Sequence, residues 1–141
     1  DSSILEPRVS PDGRFVLVTL CDYGSFPIHQ LRSDLALIDL QAPGFPWRRV
    51  EQSPVSPRDS WHSWSSNSRW IVFSRKEGSS VLARPYLRYI DPSGKPGKPF
   101  ALPQRDPAFY DTFLSTYNAP ELVTGPVKVS PSDLARAARP R

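Results

Sequence analysis

The apolar positions of this chain fall in short β-branched and aromatic runs, and each run is preceded by a polar turn. Val9-Ser10-Pro11-Asp12-Gly13-Arg14 leads into Phe15-Val16-Leu17-Val18-Thr19, and Trp64-Ser65-Ser66-Asn67-Ser68-Arg69 leads into Trp70-Ile71-Val72-Phe73-Ser74. In the first turn Pro11 sets φ for the opening corner and Gly13 accepts a positive φ. Ser65-Ser66-Asn67-Ser68 fills the same role with weaker chemistry, because Asn tolerates the left-handed region less readily than Gly. Further on, Asp34-Leu35-Ala36-Leu37-Ile38-Asp39-Leu40 reads as a strand ending at a turn. Its counterpart is Pro85-Tyr86-Leu87-Arg88-Tyr89-Ile90-Asp91, which runs into Pro92-Ser93-Gly94-Lys95. The turns lie 55 residues apart (10 to 65) and the Ile-Asp pairs 52 (38 to 90). The Pro-rich segments that follow, Ala42-Pro43-Gly44-Phe45-Pro46-Trp47 and Lys95-Pro96-Gly97-Lys98-Pro99-Phe100, are predicted to be edge strands and connections, where no ladder donor is needed.

A self-similar unit of roughly 50 residues with several short strands points to a propeller blade rather than a helical repeat. The succession Ser-Pro-Asp-Gly-Arg, apolar strand, Asp-Leu-Ala-Leu-Ile-Asp-Leu resembles the repeat of TolB-like β-propellers, exported bacterial relatives of WD-type propellers. The second unit keeps the pattern with Ser66-Asn67-Ser68 in place of Pro-Asp-Gly. The stretch Phe109-Tyr110-Asp111-Thr112-Phe113 through Tyr117-Asn118-Ala119-Pro120-Glu121 is similar to the closing segment of large TolB-like proteins, so the resemblance spans most of residues 6 to 129. The expected fold is all-β: a partial β-propeller of two four-stranded antiparallel blades, residues 1–52 and 53–104, with a short partly helical closing segment, residues 105–141. A closed propeller uses about four to eight blades, so two units cannot close a ring.

The resemblance implies a non-catalytic scaffold or protein-interaction role in the bacterial periplasm or another extracytoplasmic place. Its partners would be other propeller blades, from the same parent protein or another chain, and further proteins. It also leaves two alternatives. One is the propeller portion of a multihaem cytochrome assembly, with haems held elsewhere; the other is the gating propeller of a serine peptidase.

Residues 105 to 141 change character. Asp106-Pro107 is a good helix entry, and Phe109, Phe113 and Tyr117 recur at four-residue spacing, with Tyr110 and Leu114 widening that face. An amphipathic helix is predicted over 107–117, burying these aromatics and stopping at Asn118 and Pro120. Pro126 to Val129 is predicted to pair as a strand with a blade. Ser130-Pro131-Ser132-Asp133 reads as a second helix start.

Composition changes this picture in a few places. The formal charge is +4 over 141 residues, without a concentrated basic stripe, which reads as a solvated surface and not as a nucleic-acid footprint. From Pro126 on, Lys128, Arg136, Arg139 and Arg141 stand against Asp133, and the basic end from Arg136 on is expected to be mobile or to meet an acidic partner. No apolar stretch approaches the ~20 residues that cross a bilayer as a helix. There is no Met, which predicts that residue 1 is not a translation start. The single Cys21 excludes an internal disulfide, a Cys-based zinc site and a C-x-x-C-H haem attachment within these residues. No cofactor is expected.

Two imidazoles are available. His62, in Asp59-Ser60-Trp61-His62-Ser63-Trp64, either meets a ligand or water on the propeller face or locks neighbouring strands, and the second reading is favoured. Adjacent Ser, His and Asp are not a triad, and no G-x-S-x-G elbow occurs. Cys21 has nothing cationic beside it in sequence and reads as a small buried hydrophobe. The loop Asp22-Tyr23-Gly24-Ser25-Phe26-Pro27-Ile28-His29-Gln30 is longer than a tight hairpin requires. Tyr23, Phe26 and His29 on it are candidate contact residues, the alternative being that Phe26 and Ile28 cap their own blade. Phe109, Phe113 and Tyr117 complete the interaction candidates.

Overall fold

The computed structural model describes residues 2–51 and 58–139, so the 52/53 boundary between the units and Arg141 lie outside the described residues. The chain forms two four-stranded antiparallel sheets with little helix. Sheet 1 is an up-and-down meander of β1 (Ser3–Val9), β2 (Phe15–Cys21), β3 (Ser33–Asp39) and β4 (Trp47–Arg49). Sheet 2 repeats it with β5 (Arg58–Trp64), β6 (Trp70–Lys76), β7 (Arg84–Tyr89) and β8 (Phe100–Ala101). The runs opening at Phe15 and Trp70 are thus the second strand of each sheet.

The repeat holds down to single atoms. Ser10 N–H donates to Phe15 O at 2.8 Å and Ser65 N–H to Trp70 O at 2.8 Å. The hydroxyls of Ser10 and Ser65 each accept from the residue five on, Phe15 N and Trp70 N, at 2.9 Å. Asp12 and Asn67 accept from Arg14 N and Arg69 N at 3.2 and 3.1 Å. Gly13 (φ 72°) and Ser68 (φ 59°) share the left-handed corner, so the strained position of the second turn is Ser68 and not Asn67. Glu6 (φ 56°) and Trp61 (φ 51°), also 55 apart, sit where β1 and β5 slip register against their neighbours. Register corrects one equivalence. Leu37 opposes Leu17 and Leu87 opposes Val72, so β3 and β7 are offset by 50 (37 to 87), not 52.

Alternation along the strands gives each sheet two faces. In sheet 1, Phe15, Leu17, Thr19, Leu35 and Leu37 form a Leu17 face, and Val16, Val18, Leu20, Ala36 and Ile38 form the opposite Val18 face. In sheet 2, Ile71, Phe73 and Tyr86 share a Phe73 face, and Trp70, Val72, Ser74 and Leu87 a Val72 face. The Leu17 face packs on the Phe73 face, and Phe15, Leu17, Leu35, Leu37, Ile71, Phe73, Tyr86 and Ile90 form one core. Under the 55-residue shift, Leu17 corresponds to Val72 and Val18 to Phe73. The sheets therefore stack head-to-tail, opposite faces meeting, as in a heterologous interface.

A buried ion network closes one end of this interface. Arg75 grips Asp59 with two bonds, Nε to Oδ1 at 2.8 Å and Nη2 to Oδ2 at 2.7 Å, and reaches Glu51 at 3.1 Å. Arg88 joins Glu51 at 2.7 Å and donates to Val50 O.

Two C-terminal expectations are corrected. The helix over 107–117 is one turn, α1 (Phe109–Thr112), with no buried residue. Asp106 caps its approach by accepting from Ala108 N at 2.9 Å, but the chain is extended again by Phe113. Further on, Tyr117 N–H donates to Ala83 O and Thr116 Oγ1 accepts from Ala83 N, both at 2.9 Å, so bonds to the residue just before β7 displace helical ones. Residues 126–129 form no strand; Val127 and Val129 are exposed. The second helix start is present as α2 (Pro131–Ala137), where Ser130 accepts from Asp133 N and Pro131 opens the first turn.

Candidate functional site

The loop between β2 and β3 is held from within. Gln30, itself buried, accepts from Tyr23 N at 3.1 Å and donates to Tyr23 O and Ser25 O, each at 2.7 Å. The Cys21 thiol donates to Tyr23 O at 3.1 Å, and burial pushes its pKa up, away from the reactive thiolate. A short 3-10 turn, Pro27–His29, buries Pro27 and Ile28, with Phe26 left-handed at φ 42° just before it. This anchoring leaves Tyr23, Phe26 and Leu31 displayed at 60, 71 and 84% exposure. Large apolar groups on a fixed loop present contact area at little ordering cost.

His29 follows directly. Its ring meets Trp61 edge-on at 6.3 Å between centroids, and its Nδ1 lies 3.1 Å from Lys76 Nζ. A Lys76 ammonium has only protons to offer, so His29 Nδ1 is the accepting atom in this contact. Burial first, and the nearby Arg58 second, lower the Lys76 pKa. Trp61 and Lys76 are 32 or more residues from His29 in sequence, and only the stacking of the sheets brings the three together.

His62 lies elsewhere, buried between the sheets. Its Nε2–H donates to Leu17 O at 3.1 Å, and its Nδ1 lies 3.4 Å from Thr19 Oγ1. The Thr19 hydroxyl donates to Glu6 at 2.9 Å, and the same carboxylate oxygen accepts from Trp61 N at 3.0 Å. Burial lowers the His62 pKa to about 4, so the ring is neutral at physiological pH. At 2% exposure it fastens β5 to β2 and offers nothing to a ligand.

The single turn of α1 brings Phe109 and Phe113 together, ring centroids 4.9 Å apart, and the extended chain after it sets Tyr117 5.2 Å from Phe113. Arg84 covers Tyr110 at 5.3 Å and bonds its carbonyl at 2.8 Å. The chain then crosses the Val72 face of sheet 2 as a strap. Ser74 Oγ donates to Asn118 O, Ser63 Oγ donates to Pro120 O at 3.0 Å, and Glu121 pairs with Arg8 at 3.1 Å. Beyond it, Leu122 and Val123 wall an apolar cleft of about 340 Å3 with Trp70, Leu87 and Phe100.

Among the described residues no other sheet packs on the Val18 face of sheet 1. Ile4, Val9 and Trp47 stand on it at 64, 56 and 60% exposure around half-buried Val16, Leu20 and Ile38, while Val18 and Ala36 at its centre are buried and Arg49 pairs with Asp34 on the same face. A sequence signal for it existed. Phe15-Val16-Leu17-Val18 and Leu35-Ala36-Leu37-Ile38 are unbroken apolar runs, the mark of strands covered on both faces rather than one.

No protein-family model matches this chain, and neither a curated protein nor a solved structure does.

Proposed function

We propose that the chain is a two-blade segment of a TolB-like β-propeller that serves as a non-catalytic scaffold, completed by further blades and read by protein partners through the loop bearing Tyr23 and Phe26. The observation that carries this reading is the head-to-tail stacking, which leaves the Val18 face of sheet 1 without a sheet against it and Ile4, Val9 and Trp47 on that face exposed. The same kind of face on sheet 2 is filled by the Leu17 face of sheet 1. The matching occupant of the Val18 face is therefore a four-stranded sheet presenting a Leu17-type face. Covering such apolar surface contributes about 2.5 kcal/mol per 100 Å2, enough to drive assembly. The +4 charge and the exposed loop aromatics suit a protein partner. An extracytoplasmic bacterial location follows from the TolB-like reading.

The test is a photo-crosslinker in place of Trp47, used in the cell that makes the protein, with the crosslinked peptides sequenced. The expected product joins position 47 to a strand that follows a turn of the Ser-x-Asp-x-Arg kind, within the periplasmic fraction. Crosslinks confined to sequences without such a repeat, or none, would overturn the reading.

A further inference from the structure

On sheet 1, the next sheet's first strand sits over β1 and β2, and three of its contacts mark the berth. His62 meets Leu17 O and Thr19 Oγ1, and Trp64 Nε1 donates to Arg8 O at 3.1 Å. Moved by 55 residues, the receiving positions Arg8, Leu17 and Thr19 become Ser63, Val72 and Ser74 on sheet 2. Two of these are taken by the strap: Ser74 bonds Asn118 O and Ser63 bonds Pro120 O. Asn118 thus lies where His62 lies and Pro120 where Trp64 lies, two residues apart in each case and running in the same direction. The repeat's own turn does not follow. Where Ser10 and Ser65 stand after β1 and β5, the strap has Glu121, and Leu122 and Val123 fold onto the cleft beside Trp70.

We infer that residues 117–121 occupy the berth of the first strand of a third sheet and cap the Val72 face, so that assembly proceeds through the Val18 face of sheet 1. This inference rests on the propeller reading and adds a polarity to it. The cap has a second consequence. The Val18 face of one copy and the Val72 face of another are complementary by the same geometry that joins sheets 1 and 2, and an unguarded pair would chain head-to-tail into open assemblies. The strap prevents this by holding one of the two faces, as terminal caps do in repeat arrays.

A two-component experiment on the full chain tests the cap. One component carries Ile38→Lys, which blocks its own Val18 face, together with Leu122→Asp and Val123→Asp, which lift the strap. The other is the unaltered chain. Sedimentation of the labelled variant with increasing unaltered chain should show a one-to-one complex. Its affinity should exceed that of Ile38→Lys alone by at least ~10-fold, or ~1.4 kcal/mol. Equal affinity with and without the strap substitutions, or no complex while near-ultraviolet circular dichroism shows native packing, would overturn the cap. If the aspartates unfold the chain, Ser63→Ala with Ser74→Ala removes the two strap bonds without adding charge, and the same comparison decides. Repeat-sheet crosslinks from position 47 combined with equal affinities would sink the cap and keep the propeller reading. Failure of both experiments would remove both.

Discussion

The backbone N–H of Asp12 donates to Ser68 Oγ at 2.9 Å, tying the turn of the first unit to the turn of the second. Arg69 reinforces the link with an ion pair to Asp12 at 3.6 Å; the Ser10 hydroxyl first, and Arg14 N–H and the Arg69 charge after it, hold the Asp12 carboxyl below its usual pKa. Ser68 has φ 59°, an unfavourable conformation for a residue with a Cβ. The hydroxyl explains why a serine stands where the first unit has Gly13. Ser68→Ala keeps the strain and loses the bond, and should destabilise by about 1–2 kcal/mol in denaturant melts. Ser68→Gly loses the bond but relieves about 1 kcal/mol of strain, and should fall close to neutral. Equal losses in both variants would show that the hydroxyl does not bridge the turns.

Gly94 is tied to the sheet interface by a different constraint. It has φ 79°, and a Cβ there would stand 2.8 Å from Phe15 Cε1 and 2.9 Å from Arg48 Nη2. Gly94→Ala combines this overlap with left-handed strain and should cost about 2–4 kcal/mol. Gly125, with nothing within 4 Å, is the matched control and should tolerate alanine with little change.

Acid should loosen the sheet interface through His62. The folded-state pKa of about 4 lies below the ordinary 6.5, so the unfolded chain binds this proton more readily. The stabilising contribution is complete above pH 6.5 and is lost as pH falls toward 4, by ~3 kcal/mol over that window. Asp59 runs the other way: burial, opposed by Arg75, pushes it up to about 6, so its contribution falls as pH rises toward that value. Comparison with His62→Gln isolates the histidine, because Asp59 is common to both. Parallel pH–stability curves for the two proteins would refute the assignment.

The loop separates display from support. Tyr23→Ser and Phe26→Ser remove exposed rings and should change stability by no more than about 0.5 kcal/mol. Gln30→Ala removes three bonds from a buried amide and should cost about 2–3 kcal/mol, with faster amide exchange at Tyr23. A large loss from either surface substitution would mean that the ring packs against its own sheet, as the capping alternative has it.

The sequence alone determined the local units. Ser-x-Asp/Asn-x-Arg turns satisfy their own donors within six residues, and apolar runs after them have little choice but to pair, so both meanders and the equivalence of β2 and β6 were legible. The start of α2 was legible for the same reason, since Ser130, Pro131 and Asp133 supply cap and first turn locally. Where competing bonds come from far along the chain, the sequence misled. Phe109, Phe113 and Tyr117 carry helical spacing, yet bonds from residues 116 and 117 to Ala83 hold the following segment extended, and the helix stops after one turn. The 52-residue spacing of Ile38 and Ile90 matched letters, whereas ladder register pairs Leu37 with Leu87. Only the tertiary structure decided that His62 is an internal fastener, that Lys76 and Trp61 flank His29, and that one sheet face is strapped while another stays open. Each of these depends on which faces of two similar sheets meet, a choice made by packing over 30 or more residues of separation and written in no single segment.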